Sequence, residues 1–465
     1  MAYDSTSFDP LMDYYPHTLR VRHDIAVDRD DTKSDNSGVL SADIGWVPDF
    51  ARFKQRKAER KNPPLNDSLP KGWPTKVQHS LAWKGSDLQP RDYIYYLTKD
   101  DIAEINSALD RYKGFDLELS GLRKSTFPLP TLGPRLHTLC TSVHDGIGFC
   151  IVRGLDTKAY SREDNVIIYL GVSSYFGEQR GRQYQDGRLI THITDVKFEN
   201  FSDSDRRPLF TNDSQPFHAD LLCGVLAFYF LGTAAQGGNM LLASSWKVYN
   251  EIAATRPDLI EQLGNDDWIH DTFGRVPSYH QRALLHYWKE KLVLIFSRRN
   301  LTGSKVTPRS PNIPPMTEAQ ADALDAVHFT AAANCVSIKP EVGDMAFMNN
   351  FAVLHSRSSF LDSEESKRYI LRLWLNNPEL GWDVPPGLRL GWDRIFEEFD
   401  EISDYWEIDP YEVRDGALYD KIKYDDEGFR GRMPGHNGGG GSGGSGGGGG
   451  SGGGGNGGVR SSSCG

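Results

Sequence analysis

The chain has 465 residues and carries 52 basic against 63 acidic side chains, a formal net charge of −11. That balance argues against a nucleic-acid or anionic-membrane partner, both of which want a basic face, so neither is expected. No run of 18 apolar residues is available for a membrane helix, and the five scattered cysteines form no CxxC pair, which argues against a disulfide scaffold or a structural zinc site.

Residues 1–45 are polar and aperiodic and read as a disordered or loosely docked arm. They show neither an apolar signal core nor an Arg-rich transit pattern, so a cytoplasmic setting is expected. Residues 46–90 read as a basic linker and lead-in, with Arg52, Lys54, Arg56, Lys57, Arg60 and Lys61 on a solvated stretch. The expected folded domain is 91–436. Residues 437–465 hold 18 of the 47 glycines and read as a flexible Gly/Ser-rich tail.

Within the domain the first helix is expected at Thr98–Lys113, with Thr98 and Asp101 at capping-box spacing. Strands follow at Gly148–Arg153, Leu189–Ile193 and Leu222–Gly232. A helical stretch covers Ser245–Leu263 and restarts at Pro257. After a strand at Lys291–Ser297 comes a helix at Met316–Asn334, opened by Thr317 with Gln320. The last strands are Cys335–Lys339, Asp344–Met348, Val353–Arg357 and Arg368–Leu375. Short strands with Gly- and Pro-containing turns predict a mainly β fold, a barrel or jelly roll with flanking helices. Helices and strands do not alternate strictly, and no phosphate-loop motif occurs, so a doubly wound nucleotide fold is not expected.

Among the 13 histidines, His218 alone is followed two positions later by a carboxylate, in Pro216-Phe217-His218-Ala219-Asp220. On an extended segment both side chains project to one face and can reach one metal ion. His355, at the end of an apolar strand, offers a third ligand. Two imidazoles and one carboxylate leave open positions on the ion, the pattern of non-haem Fe(II) oxygenases. Zinc accepts the same ligands and would make the site hydrolytic. Arg368 and Arg372 share one face of the last strand, with Tyr369, Leu371, Leu373 and Leu375 on the other. Two guanidiniums there are costly unless each meets an anion, and arginine suits bidentate carboxylate binding. A zinc hydrolase gives no reason for that pair.

The segments GFCIVRGL (148–155), PFHAD (216–220), GGNMLLASSWKVYNE (237–251), GDMAFMNNFAVLHSR (343–357) and RYILRLWL (368–375) stand in a shared order and spacing. On them, the run from about Tyr93 to Asn377 resembles the Fe(II)/2-oxoglutarate-dependent TauD/TfdA dioxygenases, clavaminate synthase-like proteins of the fungal branch. The resemblance implies a double-stranded β-helix (jelly roll, cupin-like) holding Fe(II) through His218, Asp220 and His355. It implies that Arg368 binds the C5 carboxylate of 2-oxoglutarate and that Arg372 binds an acidic group of the substrate. The implied reaction uses O2 to oxidise an unactivated C–H bond of a small carboxylate- or sulfonate-bearing metabolite such as an amino acid. Hydroxylation, desaturation and oxidative cyclisation all remain open, with release of succinate and CO2. Iron halogenases of this fold replace the carboxylate by a small residue, so Asp220 argues against halogenation.

One departure concerns the cosubstrate. Met240 stands where relatives often carry a threonine for the 2-oxoglutarate carboxylate, and a thioether cannot make that bond. Ser244 is a candidate substitute. Met240 also gives the one reason to consider a non-catalytic, cupin-like binding protein. Further candidates around the substrate are His192, Asn350 and Phe273, with Trp268 and Tyr184 behind them; turn duty for Asn350 and simple core packing for the aromatics are the alternatives.

Overall fold

The computed structural model describes residues 42–59, 68–183, 187–195, 210–273, 277–305, 307–397, Trp406 and Ile408. Most of the N-terminal arm, part of the basic stretch, Tyr184 and the Gly/Ser-rich tail lie outside the described residues. The strands in chain order are β1 (Ile94–Tyr96), β2 (Phe149–Arg153), β3 (Gln179–Arg180), β4 (Thr191–Thr194), β5 (Gln215–His218), β6 (Val225–Gly232), β7 (Gln236–Gly237), β8 (Met240–Ser244), β9 (Ile269–Asp271), β10 (Tyr279–Gln281), β11 (Leu285–Trp288), β12 (Lys291–Leu294), β13 (Val336–Ile338), β14 (Met345–Asn349), β15 (Val353–Arg357), β16 (Phe360–Leu361) and β17 (Tyr369–Asn376). The main helices are α1 (Phe50–Glu59), α2 (Lys99–Lys113), α3 (Leu132–Asp145), α4 (Arg162–Ser173), α5 (Ser245–Thr255), α6 (Pro257–Gly264), α7 (Glu318–Asn334) and α8 (Pro386–Phe396).

Two sheets carry the fold. The larger runs β1-β2-β14-β6-β17-β3, with β4 also paired to β17; the smaller runs β13-β8-β15-β5. Apart from the parallel β1–β2 pair, the pairings within both are antiparallel. Side-chain alternation decides what each face meets. Phe149, Ile151, Phe228, Ile370 and Trp374 of the larger sheet share one core with Phe217, Leu242 and Leu354 of the smaller. Their neighbours Cys150, Val152, Tyr229, Leu371 and Leu373 pack in a second core with α2, α3 and α4. Helices α5 and α7 pack on the smaller sheet, α6 packs on both of them, and all three complete the first core. The arrangement is a jelly roll with flanking helices.

The local signals explain the ends of the elements. Thr98 and Asp101 form the expected capping box on α2, and Thr317 and Gln320 form the one on α7. The chain between α5 and α6 breaks at Arg256–Pro257, so one expected helical stretch becomes two. The strand expected at Lys291–Ser297 stops at Leu294 and pairs with β11, outside both sheets. Gly343 opens β14 at φ +91°, where an added Cβ would sit 1.8 Å from the Leu155 carbonyl oxygen. Only glycine fits that turn.

The expected linker at 46–90 requires correction. Its described parts are docked: Leu81 is fully buried, and Trp83 packs on Phe149 with its indole donating to the Ile147 carbonyl at 2.7 Å. On α1, Arg56 is buried rather than solvated. It reaches Asp325 of α7 at 2.6 Å and Glu318 at 3.2 Å, and also donates to the Asp43 carbonyl. The local charge excess that suggested a solvated stretch is thus partly an ion-pair anchor.

Candidate active site

Strand pairing builds the centre of the site. β5 and β15 are antiparallel neighbours, and their register sets His218 directly opposite His355, with ring centroids 4.1 Å apart. Asp220 lies two residues past His218, and its Oδ1 is 3.7 Å from His355 Nε2. One ligand atom from each of the three lies within 4.8 Å of the other two. His218 Nδ1 donates to the Pro216 carbonyl at 2.9 Å, which leaves Nε2 with a lone pair for a metal. Burial, with His218 and Arg372 nearby, holds the His355 imidazole well below the usual histidine range, so it stays neutral. Neutral imidazoles and a carboxylate form a donor set that fits Fe(II).

The Asp220 backbone is held by Asn350. The Asn350 amide accepts from Asp220 N at 2.9 Å, donates to Asp220 O at 2.8 Å and donates to Cys223 O at 3.3 Å. These bonds commit the side chain to shaping the metal loop, and Asn350 is not among the cavity-lining residues. The Asp220 carboxylate is also fixed. Its Oδ2 accepts from Trp374 Nε1 at 2.6 Å and from Arg372 Nη1 at 3.0 Å. Arg372 in turn donates through Nε to Gln183 Oε1 at 2.8 Å, and Thr191 donates to the same oxygen at 2.7 Å.

A cavity runs along β17 from Arg372 to Arg368, with Ile370 between them. At about 3.3 Å per residue the two arginines stand about 13 Å apart along the strand. Ile193, Phe228 and Phe230 give the walls, and Met240 faces in from β8. At the far end, Arg368 Nε and Nη1 are buried with no hydrogen-bond partner among the described residues. Burial first, and then the Arg357 charge, push the Arg368 pKa well below its ordinary value. A carboxylate placed there would satisfy both donors and relieve the penalty. Arg357 and Arg368 both lie against the Phe360 ring, at 5.0 and 5.4 Å from its centroid.

The structure thus brings His218, His355, Arg368, Arg372 and Met240 to one cavity, with Asp220 beside His218 and His355. It places four other candidates elsewhere. Ser244 caps α5 by accepting from Lys247 N at 2.9 Å, and its hydroxyl donates to the Leu81 carbonyl; it is a capping group and no substitute for the missing threonine. His192 opposes Leu371 across the β4–β17 pair and bonds the Tyr369 hydroxyl at 2.7 Å. It therefore sits on the helix-facing side, and its neighbour Ile193 lines the cavity. Phe273 packs on Arg299, whose guanidinium lies 4.5 Å from its ring, and is not among the cavity-lining residues. Trp268 is a core residue whose indole donates to Gln262 O at 2.8 Å. The sequence reading missed Gln183, Trp374 and Arg357. Trp374 was legible, because it shares the parity of Arg368 and Arg372. Gln183 sits in a loop with no periodic signal.

A facial set of two histidines and one carboxylate on a jelly roll, beside a buried arginine, defines a non-haem iron oxygenase. The model of the "Taurine catabolism dioxygenase TauD, TfdA family" matches residues 115–374, and the chain belongs to that family. It is accordingly a 2-oxoglutarate-dependent dioxygenase with Fe(II) as its metal. A "Taurine hydroxylase-like protein SAT17" of Stachybotrys chartarum is 33% identical over 344 residues, 72% of this chain and 89% of that protein. An "FR-33289 synthase" of Streptomyces rubellomurinus is 24% identical over 316 residues, 66% of this chain and 92% of that protein. Among solved structures, asparagine oxygenase with Fe(II), 2S,3S-3-hydroxyasparagine and succinate aligns with TM-score 0.49 and 14% identity, over 62% of this chain and 98% of that one.

Proposed function

We propose that the protein oxidises an unactivated C–H bond of a small carboxylate- or sulfonate-bearing metabolite, such as an amino acid. 2-Oxoglutarate and O2 are consumed, and succinate and CO2 are released. The observation that carries this reading is one cavity with His218, His355 and Arg372 at one end and, at the other, the Arg368 guanidinium donors that have no partner among the described residues. Bound Fe(II) supplies the oxygen activation. The chain supplies placement. Arg368 anchors the distal carboxylate of 2-oxoglutarate; His218, Asp220 and His355 hold the metal; Ile193, Phe228, Phe230 and Ile370 keep the space between apolar. Arg372, beside the metal carboxylate, offers a cation to the substrate's acidic group. The relative described as taurine hydroxylase-like accords with hydroxylation. The four described cysteines are free and buried, which accords with a cytoplasmic setting.

The test is succinate release from purified protein across a panel of amino acids and small sulfonates. Substrate-dependent succinate is expected for at least one member. Arg368→Ala is expected to raise the 2-oxoglutarate KM about 10- to 100-fold, the worth of hydrogen bonds to a charged group. Arg372→Ala is expected to raise the substrate KM. An unchanged substrate KM in Arg372→Ala would remove Arg372 from substrate binding.

A further inference from the structure

The two oxygens of Asp220 have different surroundings. Oδ2 is held by Trp374 Nε1 at 2.6 Å and Arg372 Nη1 at 3.0 Å, while Oδ1 faces His355 Nε2 at 3.7 Å. Both donors are themselves fixed. Arg372 is braced by Gln183, which accepts from its Nε at 2.8 Å and donates back to its carbonyl at 2.9 Å. Gln183 is almost fully buried and is tied further to Leu189 O at 2.7 Å and Thr191 Oγ1 at 2.7 Å. Trp374 is a core residue of β17, so its indole has no room to turn.

We propose that Trp374, with Arg372 braced by Gln183, is a positioning device that keeps Asp220 a one-oxygen ligand of the metal. The inference rests on His218, Asp220 and His355 holding that metal. Two donors occupy Oδ2, so only Oδ1 is presented to the ion. A carboxylate free to rotate would offer both oxygens, and the second would take a coordination position that cosubstrate or O2 needs. Partners one shell out from a metal commonly change its affinity 10- to 100-fold when removed. Trp374 is not among the cavity-lining residues, and it acts through Asp220.

Trp374→Phe removes the indole N–H and keeps an aromatic ring in the core. The measurement is titration of apo-protein with Co(II) alone, followed by the visible absorption of the bound ion, and with Fe(II) alone under anaerobic conditions. Wild type and Trp374→Phe are compared, with His218→Ala as the control that lacks a ligand. The device predicts at least about ten-fold weaker Fe(II) binding in Trp374→Phe. It also predicts a shifted Co(II) absorption band, as the second carboxylate oxygen replaces another ligand of the ion. A Trp374 that is structural only would lower the melting temperature and leave both metal readouts at wild-type values; that result overturns the proposal. If Trp374→Phe does not fold, Gln183→Leu tests the same brace through Arg372 and must shift the same spectrum. Failure of wild type to bind either ion would instead contradict the metal site itself.

Discussion

Met240 turns a thioether toward the cavity from β8, in register with Arg357 of β15. The hydroxyl that relatives often place there is missing, and Ser244 is spent as a helix cap. Met240→Thr restores a donor beside the cosubstrate. A hydrogen bond to a charged carboxylate is worth about 1.5–3 kcal/mol, so the 2-oxoglutarate KM should fall about ten-fold or more. An unchanged KM would show that the arginines at this end already satisfy the carboxylate. At this scale the legible residues were those governed by strand parity. His218 with Asp220, and Arg368 with Arg372, were expected from alternation, although Asp220 lies just past β5 and Arg368 just before β17. His192 was misplaced by a single residue of parity, since Ile193 takes the cavity-facing position. Asn350 was legible as a polar residue near the metal, but only the contacts show that its amide clamps the Asp220 backbone.

At the level of elements, the segment before the jelly roll is part of the fold. Leu81 and Trp83 belong to the core between the sheets, and Leu81 Cδ2 would stand 2.8 Å from a Cβ on Gly148. Leu81→Ala should therefore cost about 2–5 kcal/mol in urea unfolding, as for a buried leucine elsewhere. A cost under about 0.5 kcal/mol would mean that the segment detaches without consequence. The sequence hid this docking because its charges dominate the composition of residues 51–63. It also hid α3 and α4. The Gly133-Pro134 pair at the start of α3 imitates a turn. α4 is buried over most of its length, so its apolar run has no polar face to give a helical period. By contrast, the capping boxes of α2 and α7 were visible, because they depend on two residues three apart and on nothing distant.

Across the whole molecule, stability should depend on pH through buried histidines away from the metal. His144, at the end of α3, is pushed by burial to a pKa of about 4 and is nearly inaccessible. The folded state keeps it neutral, while the unfolded chain takes up a proton below about pH 6.5. Its contribution is present above that pH and is lost as pH falls toward 4. The metal-free protein should be about 2 kcal/mol less stable at pH 5 than at pH 7 on this account alone. His144→Phe should flatten that slope in urea titrations at the two pH values. An equal slope in the variant would show that His144 takes up its proton in the folded state as readily as in the unfolded chain. Among the described residues no helix is long and apolar enough to cross a membrane.

The central claim is that His218, Asp220, His355 and Arg368 together form one metal and cosubstrate centre. Anaerobic titration of the apo-protein with Fe(II) and 2-oxoglutarate, monitored by visible absorption, tests it most directly. A metal-to-ligand charge-transfer band should grow to one equivalent of metal, disappear in His218→Ala, and require much more 2-oxoglutarate in Arg368→Ala. A wild-type protein that binds Fe(II) but gives no band with 2-oxoglutarate would contradict the claim.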